Sequence, residues 1–432
     1  MPWPVTPTIT PPAGTYEANS IMITIEAQGA DAIYYTLDGS DPSISSTLYA
    51  GSFSIEASKI VKAVAVKSGH ADSPIATTWY DLYWWQPLTS ESGNGVNSDV
   101  YALAYSNGCL YAGGYFDAAG GSPANNIAKW DGTTWSPLGS GLNGPPSGLA
   151  VDGSGNLYAG GAFDAAGGNN AACVAKWSSN SWYALGDGVD SNVNALAVDG
   201  SGNLYVGGWF TSAGVIQVNR IAKWNSLASS WETLGNGIAT PEDYSSYVAS
   251  LAYSNGYLYT GGNFNNASGV PANNIAKWNG AASTWESLGS GVVLNVLYSG
   301  VNALVVDGSG NLYAGGDFNA AGGKPANYIA MWHNSSWSTL GDGVDNQVAG
   351  LAVDGSGNLY AGGWFTTAGG IQVNHVAKWN NLASSWEALG EGVDGHVNAL
   401  AIDSNGNLYV GGYFTSAGGI TANRVAKWGK KQ

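Results

Sequence analysis

The residues able to do chemistry in this 432-residue chain are few and scattered. Its four histidines, His70, His333, His375 and His396, sit at unrelated positions, and none stands at the spacing of a metal-ligand pair. They read as surface or turn residues. G-x-S-x-G, H-E-x-x-H, a phosphate-binding loop and C-x-x-C are missing, so no nucleophile, zinc site or phosphate cradle is spelled out. "VDGSGNLY", at 151, 198, 306 and 353, sets one Asp ahead of Gly, Ser, Gly and Asn. A calcium loop would want several carboxylates at alternating positions and a distal Glu, so this phrase reads as turn chemistry. The expectation is a protein with no catalytic residues, no cofactor and no bound metal, and not an enzyme.

Composition narrows the partners. Sixty-four glycines occur beside 19 Trp and 24 Tyr, a mixture too aromatic for disorder and suited to short strands joined by tight turns. Charged residues are only 10% and the formal net charge is −16. Nucleic acid, which needs a basic groove, is excluded as a partner, and an acidic leaflet would repel this surface. No run of 18 apolar residues exists, so membrane insertion is not expected. The opening "MPWPVTPTITPP" lacks the charged and apolar regions of a signal peptide. Low charge and abundant Thr, Ser, Asn and Gly still read as extracellular or cell-surface, with the export signal absent from this chain.

The elements that must position any site come from a repeat. "LY", a small residue and "GG" recur at 110, 157, 204, 258, 312, 359 and 408, with spacings of 47, 47, 54, 54, 47 and 49. From Phe116 to Trp130 is 14 residues, an interval kept in all seven copies. A period near 50 suits a four-stranded propeller blade. In the second copy "GLAVD", "LYAGGAF", "VAKW" and "WYAL" read as the strands, with a ten-residue loop between the second and third. No segment has helical periodicity. The Gly-Gly pairs would let backbones approach. Trp130, Trp177, Trp224, Trp278, Trp332, Trp379 and Trp428, with a second series from Trp135 to Trp386, would fill the wider gaps between blades.

The ends of the array define its closure. The chain stops at "RVAKWGKKQ", one strand short, and the missing "WxxL" phrase stands at the other end, in "WWQPL" with Trp85 and Leu88. The strand 84–88 is therefore expected to complete the last blade and leave no free edge. Cys109 and Cys173 fall at opposite ends of their blades, so both are expected as free thiols. Copies three and six share "LASSWE", and copies one and four share "PANNIAKW", as if a three-blade block had been duplicated.

Three groups could serve binding. The position after each Gly-Gly, near one mouth of the ring, holds Tyr115, Ala162, Trp209, Asn263, Asp317, Trp364 and Tyr413. Tyr115, Trp209, Trp364 and Tyr413 are the ligand-binding candidates, since aromatic faces stack on sugar rings; packing between blades is their plainer use. Two inter-blade loops on the same face are five residues longer than the rest and flank blade four. Their Glu242, Asp243, Tyr244, Tyr247, Leu294, Leu297 and Tyr298 are the partner-binding candidates, because insertions on one face of an array often mark the binding face. Asp187, Asp190, Asp342, Asp345, Glu391 and Asp394 lie in loops on that face, as turn formers or as an acidic rim.

Residues 5–82 have another texture, without a Gly-Gly pair. "YYTLDGSDP" and "KAVAVKSG" resemble the immunoglobulin-like module at the C-terminus of chitobiases and β-hexosaminidases. That resemblance implies a β-sandwich in a secreted, polysaccharide-rich setting, with no catalytic role of its own. The repeat array resembles kelch-type and bacterial extracellular propellers, and the repeats of fungal cortical marker proteins; this likeness carries fold further than function. The sequence thus predicts an all-β chain: an Ig-like β-sandwich over 1–83, then a seven-bladed β-propeller over 84–432. Its expected role is a secreted or cell-surface, non-catalytic binding or structural protein. The expected partner is a protein, with self-assembly in view, or, alternatively, an extracellular polysaccharide.

Overall fold

Ile21–Glu26, IMITIE, buries every second side chain, the burial period of a strand covered on one face. This and every strand below come from a computed structural model that describes residues 4–18, 20–238, 245–295 and 299–431. All of the regular structure in the described residues is strand. The chain divides into two units, Met1–Trp85 with Trp428–Gln432, and Gln86–Lys427.

In the first unit, Ile21–Glu26 lies between Thr8–Thr10 and Phe53–Ile55. In a second sheet Lys59–Val66 pairs with Ala32–Thr36 on one side and Ala76–Pro87 on the other. Ile9, Ile23, Ile25, Val61, Ala63, Tyr80 and Leu82 form one buried cluster, as two facing sheets of an Ig-like sandwich require. The chain's last residues return to this unit. The Lys431 N–H donates to the Leu82 carbonyl at 2.8 Å, Lys430 pairs with Asp81 at 2.7 Å, and the Trp428 ring lies 5.4 Å from Trp85.

The second unit is built from the repeats. Six four-stranded antiparallel sheets have their strands in chain order, as in Pro146–Val151, Leu157–Gly161, Val174–Ser178 and Ser181–Ala184 of repeat two. In the seventh repeat His396–Ile402 pairs with Leu408–Tyr413. The two tryptophan series meet inside a repeat rather than between repeats: Trp177 opposes Trp182 across two strands, their ring centroids 5.3 Å apart. The second tryptophan then reaches back one repeat. Trp182 Nε1–H donates to the Leu138 carbonyl at 2.9 Å and Trp386 to Leu340 at 2.9 Å. Trp135 makes the same bond, at 3.0 Å, to Leu88.

Gly-Gly pairs stand where repeats approach most closely. A Cβ on Gly160 would strike Val193 of the next repeat, and one on Gly411 would strike Val100 of the first. A Cβ on Gly412 would sit on the His396 carbonyl. The first strands of all seven repeats line one cavity of about 220 Å³.

The ten-residue loop expected between the second and third strands is not irregular. In repeat three Ser212–Ala213 pairs with Ile216–Gln217, and Ala213 bridges back to Val189. Every repeat carries such a hairpin. Alternation cannot betray strands of two residues, which is why the sequence hides them.

Candidate functional site

One backbone device builds the mouth of every repeat. The residue before the [IV]-A-[KM]-W phrase adopts the left-handed conformation in all seven: Asn126, Cys173, Arg220, Asn274, Tyr328, His375 and Arg424, with φ between 60° and 72°. Its N–H donates to the carbonyl of the repeat's Phe, as Arg424 does to Phe414 at 3.0 Å. Its carbonyl accepts from the second glycine, as from Gly412 at 3.0 Å. With both backbone groups committed, the strained φ is held by the surroundings and the side chain is free to vary.

This variable side chain adjoins two others: the residue after Gly-Gly, and the residue at or just before the start of the first strand of the next repeat. In repeat three these are Trp209, Arg220 and Tyr247. The Trp209 and Tyr247 rings stack at 4.4 Å and 17°, while Arg220, 4% exposed, donates to the Ser246 and Trp209 carbonyls at 2.8 Å each. Two sequence candidates, Trp209 and Tyr247, are thus spent on each other. Leu294, another candidate, lies in a strand, Val292–Leu294, that pairs with Phe318–Ala321, and it packs against that repeat's core. Glu242, Asp243, Tyr244, Leu297 and Tyr298 lie outside the described residues.

In repeat six the same places hold Trp364, His375 and His396. Trp364 lies flat on His396, centroids 3.9 Å apart at 4°, and His375 meets His396 edge-on at 5.2 Å. Scattered in sequence, these two histidines are neighbours in space, because one stands just before the third strand of repeat six, Val376–Asn380, and the other begins the first strand of repeat seven. Burial, then the nearby His396, holds the His375 pKa below the ordinary histidine value.

In repeat seven the trio continues as Tyr413, Arg424 and Asp99 of repeat one. The Arg424 guanidinium lies 4.5 Å from the centre of the Tyr413 ring, a cation–π distance, and its Nε is 3.8 Å from Asp99 Oδ1. His396 and Tyr413 are direct cross-strand partners, and the Tyr115 N–H donates to the Asp99 carbonyl at 2.9 Å. Trp364, His396, Tyr413, Arg424, Asp99 and Tyr115 therefore form one unbroken run over repeats six, seven and one. Its three aromatic members stay open, Trp364 at 43%, Tyr413 at 56% and Tyr115 at 63% exposure. Sequence reasoning found these rings but missed His375, His396, Arg424 and Asp99. Aligning the repeats at the left-handed residue is the signal that would have found them.

The acidic residues of this face divide. Asp190, Asp345 and Asp394 cap the short hairpins: Asp394 Oδ1 accepts from the Thr415 and Ser416 N–H groups at 2.7 and 2.8 Å. Burial pushes the Asp394 carboxyl up, but these bonds outweigh it and its pKa is lowered. Asp394 and Glu391 also border a shallow cavity of about 610 Å³ beside His375. At the other ends of the strands, both oxygens of Asp152 are taken within its own turn, by Ser154, Asn156 and Tyr158. Among the described residues, no three His, Cys, Asp or Glu side chains converge as metal ligands would. Cys109 and Cys173 are free thiols.

Residues 11–77 match the family model of the Chitobiase/beta-hexosaminidase C-terminal domain, and residues 334–426 that of the Rax2 C-terminal beta propeller domain. No curated protein matches the chain. Among solved structures, an extracellular domain assigned to a hybrid two component system of B. thetaiotaomicron superposes with a TM-score of 0.50 at 12% identity. The overlap covers 79% of this chain and 39% of that one. The WD40 beta propeller domain of Doa1 gives a TM-score of 0.50 at 14% identity, covering 80% and 96% of the two chains. The RRP9 WD40 repeats give 0.50 at 13%, covering 81% and 97%. At such identities the likeness concerns fold alone: an all-β chain with a propeller.

Proposed function

We propose that this chain is a seven-bladed, ring-closed propeller with an Ig-like companion module, and that it works outside the cell as a non-catalytic binding protein. The observation that carries the binding role is the run from Trp364 to Tyr115, where three open aromatic rings occupy one structural position in consecutive repeats. Large exposed aromatics grouped on one face are rare without a ligand. Closure is supported by the step from repeat seven to one, where Asn398 Nδ2 donates to the Val100 carbonyl at 2.9 Å. Asn194 bridges repeats three and four to Val248 in the same way, at 2.9 Å. The extracellular setting rests on the N-terminal family match and on the low charge. A protein partner, a copy of the chain or a glycan are the ligand classes such a face could meet.

The test compares the intact chain with the Trp364→Ala, Tyr413→Ala double variant on arrays of extracellular proteins and of glycans. A control carries Leu227→Ser and Leu382→Ser, both leucines being 98% exposed in turns at the far ends of the strands. A ligand held by the intact chain and the control, and lost by the double variant, supports the reading. A ligand held equally by all three places the binding face elsewhere.

A further inference from the structure

We infer that the run Trp364–His396–Tyr413–Arg424–Asp99–Tyr115 is a binding strip for an uncharged polysaccharide, with sugar rings stacked on its three aromatics. The inference rests on the binding-face reading above and names its ligand. Two of the three open rings have a polar group set against the ring itself. Trp364 has one face on His396, and Tyr413 has Arg424 against its ring. Anchoring of this kind fixes a flat platform at little further loss of side-chain freedom when a ligand arrives.

The order along the strip alternates: aromatic, imidazole, aromatic, guanidinium, carboxylate, aromatic. A protein-binding hot spot is instead a packed apolar centre ringed by polar groups. A pyranose presents an apolar C–H face and an edge of hydroxyls that both donate and accept. Aromatic faces suit the first, and a carboxylate, a guanidinium and an imidazole suit the second. A chain of such units presents face and edge repeatedly, as the strip does over three consecutive repeats. Charge selects among glycans. Within the strip Asp99 and Arg424 offset each other, so the selection comes from the whole protein: its formal net charge of −16 would repel a polyanion but not an uncharged polymer.

Affinity electrophoresis of the full chain tests this, using gels cast with xylan, glucomannan, hydroxyethyl cellulose or a soluble β-1,3-glucan, and with alginate as the anionic arm. At least one neutral polymer should retard the protein. Trp364→Ala and Tyr413→Ala should each weaken retention about tenfold, whereas Tyr183→Ala, removing a tyrosine 52% exposed outside the strip, should leave it unchanged. Melting curves of each variant separate lost binding from lost fold, and Tyr413→Phe, which keeps the ring, should retain most of the affinity. Short oligosaccharides of the retained polymer should bind more weakly than the polymer if several rings stack at once. No retention by any neutral polymer, retention by alginate alone, or retention indifferent to both strip substitutions would overturn the inference. A protein ligand lost on the same substitutions would also overturn it, while leaving the binding face in place.

Discussion

His375 shows what one residue position can do in this architecture. The left-handed slot accepts Asn, Cys, Arg, Tyr or His because the backbone bonds, not the side chain, hold it. Variation there changes what each repeat offers at the mouth without disturbing the sheet. At repeat six the slot brings His375 against His396, and burial with that neighbour favours the neutral imidazole in the fold. An unfolded histidine takes up its proton near pH 6.5. This contribution to stability is therefore complete above about pH 6.5 and is lost as pH falls through the depressed folded value. The melting temperature of the chain should fall from pH 7 to pH 5, and His375→Asn should make that fall shallower. Asn already fills the slot in repeats one and four and tolerates the conformation, so the variant should fold. An identical pH profile in the variant would remove His375 as the source. None of this was legible from the histidines alone: their spacing gains meaning only once the repeats are aligned on backbone conformation.

At the scale of elements, the four main strands of each repeat were legible because alternation, Gly-Gly and the closing Trp recur with fixed intervals. The hairpin between the second and third strands was not. Its strands are two residues long in all repeats but the fifth, and a side chain from the preceding inter-repeat segment, not any local pattern, helps to fasten it. In repeat three that side chain is Asp190, whose Oδ1 accepts from the Thr211 and Ser212 N–H groups at 2.8 and 2.9 Å. In repeat two Asn143 does the same for Asp164 and Ala165. An amide oxygen is thus enough. Asp190→Asn keeps an oxygen for both N–H groups but turns an amide toward the Thr211 hydroxyl, which now donates to Asp190 Oδ2 at 2.8 Å. It should therefore melt closer to the parent than Asp190→Ala, which should cost about 0.5–1.5 kcal/mol, the usual worth of such bonds. Amide hydrogen exchange at Thr211 and Ser212 should quicken only in the alanine variant. Equal melting of the two variants would show that the hairpin holds itself.

At the scale of the whole molecule, the proposed ring closure was read from a missing phrase at one end of the array and a surplus phrase at the other. Contacts between residues of the first and last repeats support that proposal. Trp135 of repeat one donates to Leu88 as each later tryptophan donates to the leucine of the repeat before it. Leu88, 2% exposed, belongs to the core cluster that joins repeat one to Tyr409 and Val425. What could not be read was how far the chain's two ends serve each other, since the 428–431 segment pairs with Asp81 and Leu82 through bonds that follow no repeat. Two truncations measure the worth of the closing strand. A chain beginning at Tyr83 keeps Trp85 and Leu88 and loses the sandwich with the Asp81 and Leu82 bonds to residues 430 and 431, so it should still fold. A chain beginning after Thr89 loses both residues and leaves the last repeat with a bare edge. Deleting a buried Trp and a buried Leu costs about 3–5 and 2–5 kcal/mol respectively, a large share of a domain's stability. The shorter chain should melt markedly lower and aggregate on its open edge. If both truncations melt alike, residues 84–88 do not close the ring, and the free strand edge of the seventh repeat must be covered by something else.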